Sequence, residues 1–149
     1  MEKYLLDTNT IIELFNDNRS INLDYIENLN DQDKLFASVL SFYELSYAKH
    51  KAPDHLKPQA QYRIDKAKSS FDNILSLPES LVSTDRFGLL KSKYIKHCGI
   101  NKSNATKFTV DFMLAVTCLE HDCVMISDDH IFKQIKEIEP KLKIESWSE

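Results

Sequence analysis

A chain of 149 residues, 42% hydrophobic and 28% charged, has the length for one domain with its own core, read here over residues 1–149. Its net charge of −4 argues against a general nucleic-acid coat protein. No apolar run approaches the roughly 20 residues that span a bilayer, so no membrane association is expected, and a cytoplasmic protein is the default.

Taken in chain order, residues 4–6 read as a strand ending at Asp7. A helix over residues 8–17 follows, with Thr8, Asn9 or Thr10 placed to cap it and Ile11, Leu14 and Phe15 on one face. A second helical stretch covers residues 23–29, a buried strand residues 35–38, and a helix residues 39–49. Residues 52–58, with Pro53 and Pro58, read as a loop. Beyond it the pattern predicts a long helix over 59–75, a short strand at 81–83 and a helix over 85–97. A helix over 105–121, a strand over 124–127, a helix over 130–138 and a last strand over 142–147 complete the chain. Strands alternating with helices indicate an α/β fold with a mainly parallel central sheet flanked by helices, whose ligand site lies beyond the carboxyl ends of the strands.

Two residue types narrow the chemistry further. Gly88 and Gly99 are the only glycines, which excludes a P-loop and a GxGxxG turn. Cys98, Cys118 and Cys123 include no CxxC pair and read as reduced, mostly buried thiols. Cys118, His121 and Cys123 lack the paired spacing and the fourth ligand of a zinc site, so core packing is the better account.

Charge is unevenly spread. Residues 1–33 hold eight acids against two bases, whereas residues 49–107 hold twelve bases against five acids, a local balance of +7. A solvated helical surface explains the basic stretch by count alone. The sharper account is a face that steers phosphate, with Lys91, Lys93 and Lys96 as candidate substrate-binding residues.

The acids fall where an α/β site should be. Asp7 ends the first strand, and Asp128 and Asp129 follow the 124–127 strand; if those strands are neighbours, their carboxylates meet. Glu44 interrupts an otherwise apolar stripe of Leu40, Tyr47 and Ala48, and Asp111 heads another of Leu114, Ala115, Cys118 and Leu119. Both are expected to aim toward the sheet. Each acid has a plainer account: Asp7 and Asp129 as helix caps, Glu44 as a rim residue, Asp111 as a first-turn acid favoured by the helix dipole. Together, four carboxylates at one end of a sheet need a neutralising cation, and Mg²⁺ or Mn²⁺ suits an all-oxygen set. Such ions can activate water and stabilise the leaving oxygen of a phosphodiester. His130, beside the acid pair, reads as a surface histidine.

The order of these segments resembles the PIN-domain nucleases, particularly toxins of the VapC type from toxin–antitoxin pairs. Tyr4-Leu5-Leu6-Asp7-Thr8-Asn9, Ser41-Phe42-Tyr43-Glu44-Leu45, Asp111-Phe112-Met113-Leu114-Ala115 and Ser127-Asp128-Asp129-His130-Ile131-Phe132 carry the likeness, and Ile144-Glu145-Ser146-Trp147 suits the closing strand. The resemblance implies an endoribonuclease dependent on Mg²⁺ or Mn²⁺, an RNA substrate, a cognate antitoxin protein and a homodimer. It implies Asp7, Glu44, Asp111 and Asp129 as catalytic, metal-binding acids, with Asn9 and the Ser127 hydroxyl orienting them. Asp128 competes with Asp129 for the fourth place; the spacing to Phe132 favours Asp129. Ser127 stands where the family more often has Thr. Two rivals are a non-catalytic PIN-like domain that binds RNA or protein, and a haloacid-dehalogenase-type phosphatase. The phosphatase motif needs an acid at position 9, where this chain has Asn9.

Overall fold

The computed structural model describes residues 1–16, 21–100, 105 and 107–148, whose five strands form one parallel sheet in the order β3-β2-β1-β4-β5. They are β1 (Lys3–Leu6), β2 (Lys34–Ser38), β3 (Asn73–Leu75), β4 (Val124–Ile126) and β5 (Lys143–Glu145). The helices are α1 (Thr8–Leu14), α2 (Asp24–Glu27), α3 (Val39–Lys51), α4 (Lys57–Ser70), α5 (Leu81–Cys98), α6 (Thr109–Glu120) and α7 (His130–Ile138). The expected α/β fold with a parallel sheet is therefore the one observed.

Strand β1 lies between β2 and β4, with Leu5 in register with Phe36 and Met125, and Leu6 with Ile126. Side chains alternate across a strand, so Leu5 and Met125 fall to one face and Leu6 and Ile126 to the other. On the first face they pack with Leu90, Phe112, Leu114 and Phe132 from α5, α6 and α7. On the second they pack with Ile11, Leu14, Ala67 and Trp147. Burial on both faces is why these strands read as continuous apolar runs. Trp147 closes the second layer, its ring 5.2 Å from Tyr4 and 5.8 Å from Tyr25 between centroids.

Several expected boundaries are corrected. The helix expected over 59–75 ends at Ser70, where the Ser69 and Ser70 hydroxyls both donate to the Lys66 carbonyl and compete with the helical pattern. Beyond it, Asp72 accepts from the Leu35 amide at 2.7 Å, and Asn73–Leu75 pairs with β2 as the edge strand. That edge being taken, residues 81–83 are not a strand but the first turn of α5, capped by Ser80. Leu81 and Val82 consequently stand 84% and 70% exposed. At the other end of α5, Gly99 adopts φ 64°, a left-handed cap that suits glycine. The expected loop at 52–58 contains a turn of 3-10 helix, Asp54–Leu56, and α4 already begins at Lys57. Helix α1 is capped by Asp7 rather than by its own threonines or Asn9, and Asp17, its expected end, lies outside the described residues. The last strand is shorter than expected, since Leu142, Ser146 and Trp147 lie outside it.

The cysteines are free, and Cys118 donates its thiol proton to the Cys123 carbonyl at 3.1 Å. Burial pushes both thiols above their ordinary pKa, Cys123 to about 11, so they stay protonated core residues. Among the described residues no three His, Cys, Asp or Glu side chains stand ready to hold a metal. No helix among the described residues is long and apolar enough to cross a membrane.

Candidate active site at the carboxyl edge of the sheet

The chain order reverses at β1: β2 lies on one side of it and β4 on the other. In open parallel sheets that reversal opens a crevice beyond the strand ends. Asp7 leaves β1 into this crevice and Asp129 leaves the adjacent β4, so the condition that the two strands be neighbours is met.

Asp7 is 2% exposed and does two jobs at once. Its Oδ1 accepts from the Thr10 amide at 2.8 Å, capping α1, and its Oδ2 accepts from the buried Ser127 hydroxyl. Burial raises its pKa to about 6, against the lowering effect of Ser127 and Thr10, and the charge of Asp129 adds to the rise. Asp129 occupies the N-cap position of α7, yet its side chain makes no capping bond. Both of its carboxylate oxygens accept instead from the Asn9 amide, at 3.0 and 3.3 Å, and its backbone N–H donates to the Ser127 hydroxyl at 3.0 Å. The plain capping account thus holds for Asp7 in part and fails for Asp129.

Asp111 lies in the first turn of α6, half-buried, and accepts no hydrogen bond among the described residues. Burial raises its pKa to about 7, with further contributions from Glu44, Asp129 and Asp7 in that order. All four acids therefore share one electrostatic neighbourhood. Glu44 departs from expectation, because the residue is exposed and not turned into the core, although Thr8 Oγ1 donates to it at 2.6 Å. Tyr47 and Ala48 on the same helix are exposed as well; only Leu40 and Ser41 of α3 are buried. Asp128 is set apart: it is exposed and accepts from Ser146 beyond β5. His130 is exposed, as a surface histidine should be. Lys91, Lys93 and Lys96 lie on α5 and form no ion pair or hydrogen bond with the four acids among the described residues.

Three residues of the site escaped the sequence reading. The buried Thr8 hydroxyl bridges Glu44 and, at 2.9 Å, the buried Ser41 hydroxyl. Ser41 sits three residues before Glu44, on the same helical face, and that spacing was the available signal. The Tyr94 phenol of α5 has its pKa raised by burial first, then by Cys98 and least by the Asp111 carboxylate, and its hydroxyl donates to Gln134 at 3.0 Å. Nothing in the sequence announces that contact.

The donor set can be tested against a hard divalent cation. Four carboxylates supply only oxygen, and none of them is ion-paired to a base among the described residues. The raised pKa values of Asp7 and Asp111 come first from burial and then from the neighbouring carboxylates, both of which a bound cation would offset. The chemistry fits, with one reservation of geometry: no three of these side chains converge on a single point as they stand, so ligation requires rotation of side chains. Glu44, exposed and held by one hydroxyl, and Asp111, held by none, are free to make it.

The family model described as PIN domain matches residues 4–138, from the first strand through α7. The chain belongs to the PIN-domain family. Among solved structures, this PIN domain is similar to a chain of VapBC2 from Rickettsia felis, solved bound to a DNA fragment from their promoter. The TM-score is 0.74 at 23% identity, covering 98% of this chain and 99% of that one. VapBC-1 from nontypeable Haemophilus influenzae matches with TM-score 0.70 at 21% identity over 97% and 98% of the chains. FitAcB from Neisseria gonorrhoeae matches with TM-score 0.68 at 20% identity over 95% of each. Among curated proteins compared by sequence, none matches the chain significantly.

Proposed function

We propose that this PIN domain is an endoribonuclease dependent on Mg²⁺ or Mn²⁺, acting in the cytoplasm as the toxin of a toxin–antitoxin pair of the VapC type. One observation carries the reading: Asp7, Glu44, Asp111 and Asp129 share the crevice at the chain reversal, and no base is ion-paired to any of them among the described residues. A divalent cation at this site would supply charge that lets the cluster ionise near neutral pH and the Lewis acidity that hydrolysis of a phosphodiester calls on. Asp7, Glu44, Asp111 and Asp129 would hold it.

The chain's own groups prepare that site. Ser127 and the Thr10 amide fix the Asp7 carboxylate, Asn9 fixes Asp129, and Thr8 steadies Glu44. Asp111 keeps both oxygens available. Exposure of Glu44 and Asn9 leaves the crevice open on one side, which suits a polymer substrate such as RNA better than a small enclosed ligand.

For the protein partner, an apolar groove of about 270 Å³ runs between α1, α3 and α4, lined by Ile11, Ile12, Phe15, Leu45, Ala48 and Ile64. Leu45 adjoins Glu44, so an antitoxin segment seated there would reach the acids. The likeness to VapBC structures supports a partner of this kind. The exposed Leu81 and Val82 at the start of α5 suit contact between two copies in a homodimer. RNA cleavage by the partner-free chain tests the central reading, with discrete fragments expected in Mg²⁺ or Mn²⁺ and none in EDTA.

A further inference from the structure

Helix α3 presents two tyrosines to water, and one of them, Tyr47, falls where its sequence pattern had suggested core. Tyr43 and Tyr47 are 71% and 70% exposed, and as i and i+4 neighbours their rings share one side of the helix. Glu44, Tyr47 and Lys51 follow at i, i+3 and i+7, a line running from the acidic crevice down the helix. The Lys51 ammonium lies 5.9 Å from the centroid of the Tyr47 ring. The last turn of α3 is basic throughout, with Lys49, His50 and Lys51. The apolar groove uses Leu45, Ala48 and Ala52, which lie on the adjoining side of the same helix, with Ala48 one turn from Glu44.

We infer that Tyr43 and Tyr47 form a stacking platform for unpaired bases of an RNA strand whose phosphodiester enters the crevice at Glu44, with Lys51 accompanying the strand's phosphates. The inference rests on the ribonuclease reading and sharpens it, since only splayed, unpaired bases can lie on a ring face; bases within a duplex cannot. Charge favours RNA over a protein partner as the occupant. The acids of the crevice need a cation before they admit any phosphate, whereas the aromatic line brings its own, and aromatic faces flanked by cations are what single strands bind. Three residues of helix separate Glu44 from Tyr47, a rise of about 4.5 Å, so a base on Tyr47 belongs to a nucleotide beside the one being cut.

The test uses the full chain carrying Asp111→Asn, to prevent cleavage, and a fluorescent single-stranded oligoribonucleotide beside its duplex. Tyr43→Ala and Tyr47→Ala are each expected to weaken single-strand binding at least about fivefold, and Tyr47→Phe to restore it, because a phenyl face stacks as a phenol does. Duplex binding is expected to be weaker and indifferent to these changes. Lys51→Ala should lower the salt slope of binding by about 0.7. Alanine variants that bind like the parent, and that cleave like the wild type once Asp111 is restored, overturn the platform while leaving the ribonuclease reading intact. So does a change in oligomeric state with RNA binding untouched, which would make the face a protein contact. Tyrosine-dependent binding by a wild-type chain that cleaves no RNA keeps the platform and removes the nuclease. A parent that binds no RNA, beside a wild-type chain that cleaves none, removes both.

Discussion

Ser127 donates its hydroxyl hydrogen bond to the Asp7 carboxylate, joining the ends of the two strands that flank the crevice. The same oxygen accepts from the Asp129 amide at 3.0 Å, so one buried hydroxyl sets the positions of two acids from different strands. The Asp7 amide completes the junction by donating to the Ile126 carbonyl at 3.1 Å.

Ser127→Ala removes that hydroxyl and leaves Asp7 buried with one fewer donor. The substitution should cost about 1 kcal/mol of stability, read by urea denaturation, and raise the Asp7 pKa further, because Ser127 lowers it in the parent. The acid limb of the pH–rate profile should therefore move to higher pH, and Ser127→Thr should restore it. An unchanged profile would mean that Asp7 does not need this bond to ionise.

The acids also set a pH dependence of the metal-free protein. Asp7 and Asp111 have folded pKa values of about 6 and about 7, above the ordinary carboxyl value of 3.8. Between those limits the folded state binds more protons than the unfolded one, so the contribution to stability is full below pH 3.8 and is lost as pH rises through 6 to 7. Asp111→Asn should then stabilise the metal-free chain at pH 8 relative to pH 4. Discounted for screening at a half-exposed site, the gain is on the order of 1–2 kcal/mol. Thermal unfolding across pH reads it, and Mn²⁺ should raise the Tm of the parent more than that of the variant. A difference between parent and variant that did not grow with pH would contradict the crowding of these carboxylates.

The sequence made β1, β2 and β4 legible because each is an apolar run with a polar end, and it placed Asp7 and Asp129 at strand ends for the same reason; that the two strands are neighbours came from the sheet order. Strand β3 was hidden: three residues, Asn73–Leu75, carry no period, and its place was given to Leu81 and Val82. Apolar residues at 81 and 82 say nothing of whether they face water. Tyr47 misled in the same way, since its spacing from Leu40 suggests a stripe that the sheet does not reach. The Thr8–Ser41–Glu44 contact depends on how α3 passes α1, a tertiary fact with no local signature. The family match supports the fold as read, whereas the roles of the individual acids rest on the physical argument alone.

The basic stretch gives a prediction independent of the acids. Lys93 and Lys96 are exposed and Lys91 half-buried on α5. If the helix steers RNA, replacing all three with Gln should weaken single-strand binding and reduce its salt slope by about 2. An unaltered slope, measured by titrating labelled RNA at several salt concentrations, would return α5 to plain solvated surface.

The central claim is that four carboxylates, assembled from β1, α3, α6 and the end of β4, cut RNA with a divalent cation. The most direct measurement compares the partner-free chain with Asp111→Asn on RNA in Mg²⁺, Mn²⁺ and EDTA, with circular dichroism confirming that both are folded. The account predicts discrete fragments from the parent in either metal, loss of about a hundredfold or more in rate for the variant, and no cleavage in EDTA. Equal cleavage by the two chains, or cleavage that persists in EDTA, would contradict it.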